Sequence, residues 1–196
     1  MEPFIIITAP HSKCDPSAKE RMCDKVAKQA AETLSSLIKY KHKLLLANIY
    51  RSECDLNRKK CINTDYWQQE IIPTIDDPLK KYNPIFLIDI HSFPSTPDIS
   101  LLPLFIIDYS GGKDYVHNLV NTLINNGIKT ERREVEPVNA IIQYSLSKDI
   151  PSLLIEFNEN LSIEDIKKID EIILIWLEKE INKRSDRKIL KTYFYF

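Results

Sequence analysis

Glycine is scarce in this chain. The 196 residues hold three, Gly111, Gly112 and Gly127, which excludes a glycine-rich phosphate loop of either familiar kind. An excess of one charge is also missing. Lys and Arg number 27 and Asp and Glu 28, for a net charge of −1. Nothing electrostatic therefore favours nucleic acid or an anionic membrane as a partner. No apolar run approaches the roughly 18 residues of a membrane-spanning helix. Met1-Glu2-Pro3 lacks the basic start of a secretory leader and runs straight into Phe4-Ile5-Ile6-Ile7. These absences predict a cytoplasmic protein. The four cysteines, Cys14, Cys23, Cys54 and Cys61, form no C-x-x-C pair. In a reducing compartment they are expected as free thiols.

What is present is ordinary in bulk: 43% hydrophobic and 28% charged residues, as in a globular protein. The length suits one domain over residues 1–196. Within it, Phe86-Leu87-Ile88-Asp89-Ile90-His91-Ser92 stands out. A continuous apolar run between Pro84 and Pro94 predicts a strand buried on both faces. Asp89 and His91 alternate, so both side chains leave one face. A carboxylate and an imidazole there need a partner or a metal. Three other apolar runs lead into similar residues: Pro10-His11, Arg51 with Asp55-Leu56-Asn57-Arg58, and Glu156.

Around that strand, elements alternate. Phe4 to Thr8 reads as a strand. Asp15-Pro16 reads as the cap and first position of a helix reaching Lys39. Its stripe of Ala27, Ala31, Leu34 and Ile38 extends back through Asp24 to Glu20, so either carboxylate would face inward near His11. Leu44 to Tyr50 is a predicted strand. Helical residues through Trp67 and Ile71 are interrupted by Pro73, which predicts two short helices or one. Leu104–Tyr109 and Ser152–Phe157 read as strands, and Ile128 to Val135 as a more exposed one. Asp114 to Asn126 reads as a helix closed by Gly127. Ser162-Ile163-Glu164-Asp165 opens the last helix, with Ile166, Ile169, Ile173 and Trp176 inward. The tail, 188–196, is expected as a docked edge strand or a partner contact. Together these predict an α/β three-layer sandwich, with a largely parallel or mixed central sheet and helices on both faces. Ligands of such sheets bind beyond the carboxyl ends of the strands, where His11, Arg51, His91 and Glu156 are expected to meet.

Two histidines and a carboxylate are a common catalytic zinc set, with a fourth position left for water. A further carboxylate, Glu156, is the candidate general base. Arg51 and Arg58 offer forked donors for a substrate carboxylate, with Asn57 orienting the same group, although Arg58 has Asp55 as an alternative partner. Cys14, three residues after His11, has zinc-ligand spacing but no second thiol close in sequence.

The ordered set Ala9-Pro10-His11-Ser12, Arg51-Ser52-Glu53-Cys54-Asp55-Leu56-Asn57-Arg58, Ile88-Asp89-Ile90-His91-Ser92 and Leu154-Ile155-Glu156-Phe157 resembles the N-formylglutamate amidohydrolase family. That family is similar in fold and metal chemistry to zinc carboxypeptidases. The resemblance spans roughly Pro10 to Asn158. It implies one zinc per chain and hydrolysis of a small N-acyl amino acid amide that carries a carboxylate. By position it implies His11 and His91 as zinc ligands, with Asp24 as the acidic ligand and Glu20 in reserve. It implies Glu156 as general base and Arg51, Asn57 and Arg58 as the substrate-carboxylate region. Lys13 stands where the family usually has glycine. A carboxypeptidase or deacylase on the same zinc site, and a binding module that keeps the fold without catalysis, are the alternatives.

Overall fold

A computed structural model describes residues 2–15, 23–83, 85–96, 102–109, 113–135 and 138–193, with side chains up to residue 184. Glu20, Pro16, Pro84, Ser110, Gly111 and Gly112 lie outside the described residues. Six strands form one sheet in the order β2-β1-β3-β6-β4-β5. They are β1 (Phe4–Ala9), β2 (Lys41–Leu46), β3 (Ile85–Phe93), β4 (Leu104–Asp108), β5 (Thr130–Glu134) and β6 (Ser152–Asn158). All neighbours pair in parallel except β4 and β6, which are antiparallel. The sheet is therefore mixed, as the sequence predicted.

Strand alternation divides the core in two. Ile5 and Ile7 of β1, Phe86, Ile88 and Ile90 of β3, and Leu153, Ile155 and Phe157 of β6 face one layer. That layer holds α1 (Ala27–Leu37), α3 (Asp114–Asn125) and α5 (Ile163–Tyr193). The opposite face carries Phe4, Ile6, Ile85 and Leu87. It is covered by a π-helical turn (Trp67–Ile71), α2 (Ile72–Leu79) and α4 (Ala140–Ser147). Trp67 and Trp176 anchor the two layers. Each is fully buried, and each indole N–H donates to a backbone carbonyl, of Leu56 and Tyr115 respectively. Burying a large side chain of this kind contributes about 1.5–3 kcal/mol.

Several elements differ from expectation for local reasons. α1 begins at Ala27, not Pro16, so Asp24 sits in the loop before the helix. The Asp24 N–H donates to the His11 carbonyl at 3.1 Å, which holds the chain out of a helical path. β2 starts and ends earlier than predicted, so the loop that carries Arg51 begins sooner than expected. Pro73 does not split the segment in two: the π-helical turn Trp67–Ile71 runs directly into α2, whose first turn holds Pro73. α4 was absent from the sequence-based expectation; Asn139 caps it by accepting the Ile142 N–H at 3.1 Å. The chain from Lys188 to Tyr193 continues α5 and is not an edge strand, while 194–196 lie outside the described residues.

The cysteines are also a correction. Cys14 pairs with Cys23 and Cys54 with Cys61, and none is free. Pairing is decided by distance in space, and the loops bring the Cα atoms to 4.9 and 5.9 Å, within disulfide reach. Cys14 is thereby withdrawn as a metal-ligand candidate.

Candidate active site

The chain goes from β1 to β2 on one side of β1 and returns to β3 on its other side. This reversal opens a crevice beyond the carboxyl ends of β1 and β3, the usual ligand position in such sheets. His11 follows β1 by two residues, and His91 lies near the end of β3. On β3 the face that carries Ile85 and Leu87 continues through Asp89 to His91, so strand periodicity alone aims both polar side chains at the crevice. On β6 the same face carries Leu154 and Glu156. Glu156 is the register partner of His91 on the neighbouring strand.

Asp24 is brought in by its loop. Its neighbours are tied to the sheet: the Val26 N–H donates to Ser92 Oγ at 3.3 Å, and Ser92 Oγ donates to Glu159 Oε1 at 3.2 Å. The Lys25 N–H also donates to Glu159 Oε1. The serine after His91 thus anchors the segment beside Asp24. Lys13 reaches across to the Asn48 carbonyl at 3.1 Å and lies 4.1 Å over the Tyr50 ring, tying the His11 loop to the loop after β2.

His11, Asp24 and His91 are buried and converge. His11 Nδ1 lies 3.2 Å from Asp24 Oδ2, and His91 Nδ1 lies 2.7 Å from the same oxygen. The imidazoles meet edge to face with centroids 4.8 Å apart. Ligand atoms of the three residues all lie within 4.8 Å of one another. Each ring turns its other nitrogen to a second carboxylate: His11 Nε2 is 2.9 Å from Asp55 Oδ1, and His91 Nε2 is 3.1 Å from Asp89 Oδ2. Asn57 Nδ2 is a further neighbour of His91 Nε2, at 2.9 Å. Asp55 and Asp89 in these positions were not predicted as site residues. The D-x-H spacing signalled Asp89, and Asp55 opens the D-L-N-R run.

Electrostatics follow from this crowding. Burial opposes the charged form of Asp24, but hydrogen bonds and charge from His11 and His91 outweigh it and hold the carboxyl well below its usual range. Burial likewise opposes ionised Asp55, and His11, Arg51 and the Asn57 N–H overcome it. Burial works against His91 as a cation, while Asp89 and Asp24 raise its pKa well above the usual value. Glu156 goes the other way: burial raises its carboxyl pKa, and with the Asp24 and Asp89 charges it outweighs the opposing pull of His91 and His11. Burial and the charges of Asp89 and Glu156 push Tyr109 up to about 12.

The two arginines differ. Arg51 is turned inward, with Nε 3.3 Å from Asp55 Oδ2 and Nη1 3.6 Å from Asp24 Oδ1. Arg58 makes one 3.6 Å contact with Asp55 and is 52% exposed. Both line a cavity of about 140 Å³ with His11, Asn57, His91 and Glu156. Tyr109, Val138 and Leu154 add an apolar wall to it. The structure therefore brings together His11, Asp24, Arg51, Asn57, Arg58, His91 and Glu156 as predicted, although Asp24 arrives from a loop and not from a helical face. A larger cavity, about 440 Å³, lies by Ile150 and Pro151 just before β6 and holds none of these residues.

No protein-family profile and no curated protein sequence matches the chain. Its fold does match solved structures. A gene product of Agrobacterium tumefaciens superposes with a TM-score of 0.72 at 11% identity, over 93% of this chain and 91% of that one. An N-formylglutamate amidohydrolase from Ralstonia eutropha JMP134 gives 0.67 at 14% identity, over 93% and 94%. A metallo-carboxypeptidase from Burkholderia cenocepacia gives 0.52 at 11% identity, over 91% of this chain and 57% of that one. The three-layer, carboxypeptidase-like fold is thus shared across very low sequence identity.

Proposed function

We propose that this chain is a zinc-dependent hydrolase of linear amide bonds, acting on a small N-acyl amino acid of the N-formylglutamate type. One observation carries the proposal: two buried imidazoles and a carboxylate converge, and each imidazole is backed by a further carboxylate. That is the arrangement by which proteins hold and tune metal-binding histidines. The donor set fits zinc through His11 Nδ1, His91 Nδ1 and Asp24, one ion per chain. Asn57 strengthens the fit. Its Oδ1 is buried with no hydrogen-bond partner among the described residues. When His91 binds through Nδ1, its Nε2 keeps the proton. Turning the Asn57 amide over then sets Oδ1 beside that N–H, which it shares with Asp89 Oδ2, and leaves the NH₂ group as a donor in the cavity wall. Zinc in such a set polarises a carbonyl and lowers the pKa of water to about 7.

The chain's own residues do the rest. Glu156 takes the proton of the attacking water and passes it to the leaving amine; its raised pKa suits both steps. Arg58, half exposed at the cavity, binds the substrate carboxylate, with Asn57 assisting. Arg51 lends charge from its position between Asp24 and Asp55. The substrate partner is therefore a small amide that carries a carboxylate. The two disulfides favour an oxidising compartment over the cytoplasm. No helix of the described residues is long and apolar enough to cross a membrane.

The test has two steps. Elemental analysis of protein purified without chelator or affinity-column metal should find about one zinc per chain, lost in His91→Ala. A panel of N-formyl and N-acetyl amino acids against short peptides then reads the bond type. Cleavage of peptides alone would replace the proposal with a carboxypeptidase on the same residues. Absence of zinc, with none taken up on titration, would leave a binding module.

A further inference from the structure

Asp89 is the most enclosed charged group of the site, with no solvent exposure. Burying a carboxylate is expensive unless donors surround it. Here they come from three elements. The Thr8 hydroxyl of β1 donates to Oδ1 at 2.5 Å, across the pairing that places Thr8 opposite Asp89. The Asn139 NH₂ group donates to Oδ2 at 2.6 Å. His91 Nε2 faces the same Oδ2 at 3.1 Å. Asn139 is itself buried and uses its other end, Oδ1, to cap α4. A cap alone needs only a short oxygen-bearing side chain. The amide adds a reach to Asp89 that the cap does not require. By contrast Asp55, which backs His11, shares its oxygens with Arg51 and Arg58 at the cavity.

We propose that Asn139 and Thr8 are positioning residues for the His91 ligand: together they fix the Asp89 carboxylate against His91 Nε2–H, so that Nδ1 presents its lone pair to the metal. The inference rests on the zinc site proposed above and goes beyond its ligands. Asp89 has two oxygens, and each is pinned by a donor from a different element. It cannot turn away from the imidazole without breaking one of those bonds. His91 then keeps one tautomer and one ring orientation before any metal arrives. The same amide links α4, and with it the cavity wall at Val138, to the ligand.

Zinc affinity of the full chain, measured by competition with a chromophoric chelator, tests this together with the urea midpoint of the metal-free protein. Asn139→Ser keeps a capping oxygen but cannot span to Asp89. Thr8→Val removes the other donor while leaving α4 untouched. Asn139→Ser should weaken zinc binding about 10- to 100-fold, the range seen when outer partners of metal ligands are removed, and Thr8→Val should weaken it by a smaller factor. Ile142→Ala, which opens a cavity in the core under α4 and leaves the Thr8 and Asn139 donors in place, should lower the midpoint and leave zinc affinity within twofold of the parent. Parental affinity in both Asn139→Ser and Thr8→Val would overturn the proposal, as would an equal loss in Ile142→Ala, which would mark the effect as general loosening. A parent chain that takes up no zinc would remove the proposed function itself, a different result from unchanged variants of a zinc-binding parent.

Discussion

The site has two halves built by different means. His91 and Glu156 stand on β3 and β6, opposite one another in a parallel ladder. His11, Asp24, Arg51, Asp55, Asn57 and Arg58 stand on two loops. The strand half is held by sheet hydrogen bonds and a core on both faces. The loop half lacks that support, and both disulfides lie in it. Cys14–Cys23 closes the segment between His11 and Asp24, and Cys54–Cys61 closes the turn that carries Asp55, Asn57 and Arg58. The staples lie where the ladder ends. A polar site can thus be held rigid by sheet geometry or by cross-links, and this chain uses one for each half.

Glu156→Gln should break the chemistry and not the site. Turnover should fall by about 10²- to 10⁴-fold, the usual weight of general acid–base catalysis, with zinc content unchanged. Equal activity would remove Glu156 from its role.

Replacing Cys14 and Cys23 together by serine sharpens the contrast between halves. The chain-entropy model gives about 2–3 kcal/mol for a loop this short. Zinc affinity should drop as well, because the His11–Asp24 segment is released. A pair that lowers the thermal midpoint but binds zinc as before would show that the backbone bond between Asp24 and His11 suffices without the staple.

Acid separates the site from the core. Asp24 and Asp55 have folded pKa values below those of the unfolded chain, where a carboxyl titrates near ~3.9. Their stabilisation of the metal-free protein is complete above about pH 4 and disappears as pH falls through the lower folded values. Asp170 of α5 has the opposite sign. It is fully buried, neither oxygen has a hydrogen-bond partner among the described residues, and burial raises its pKa well above the usual value. The folded form holds its proton to higher pH than the unfolded chain does, so stability declines as pH rises above about 4 towards the folded value. Asp170→Asn should flatten that decline and raise stability near neutral pH by about 1 kcal/mol, read from urea midpoints at pH 4.5 and 7.5. The acid-side loss below pH 4 should remain in the variant.

Legibility in the sequence follows the same division. The strands β1, β3, β4 and β6 were readable to within a residue or so, because they are apolar runs too short for a typical helix and bounded by turn residues. The residues they carry, Asp89, His91 and Glu156, came with them by alternation. Asp24 was identified by a helical stripe that the chain does not follow at that point; its place depends on a backbone bond to His11 thirteen residues earlier, which no local pattern encodes. The disulfides were hidden for the same reason, since spacing said nothing of proximity. Asn139 was missed because eight residues of short apolar sequence, Ala140–Ser147, carry too little periodicity to mark a helix, so its cap went unread.

The register of His91 with Glu156 has an evolutionary consequence. Neighbouring strands are separated by about 4.8 Å wherever a ladder exists. The spacing between His91 and Glu156 is therefore a property of the peptide backbone, and side-chain drift elsewhere leaves it intact. Identity to the superposed structures is only 11–14%, yet the fold that sets this interval here is shared with them. Selection is then free to reshape the loops around a distance it never needs to relearn.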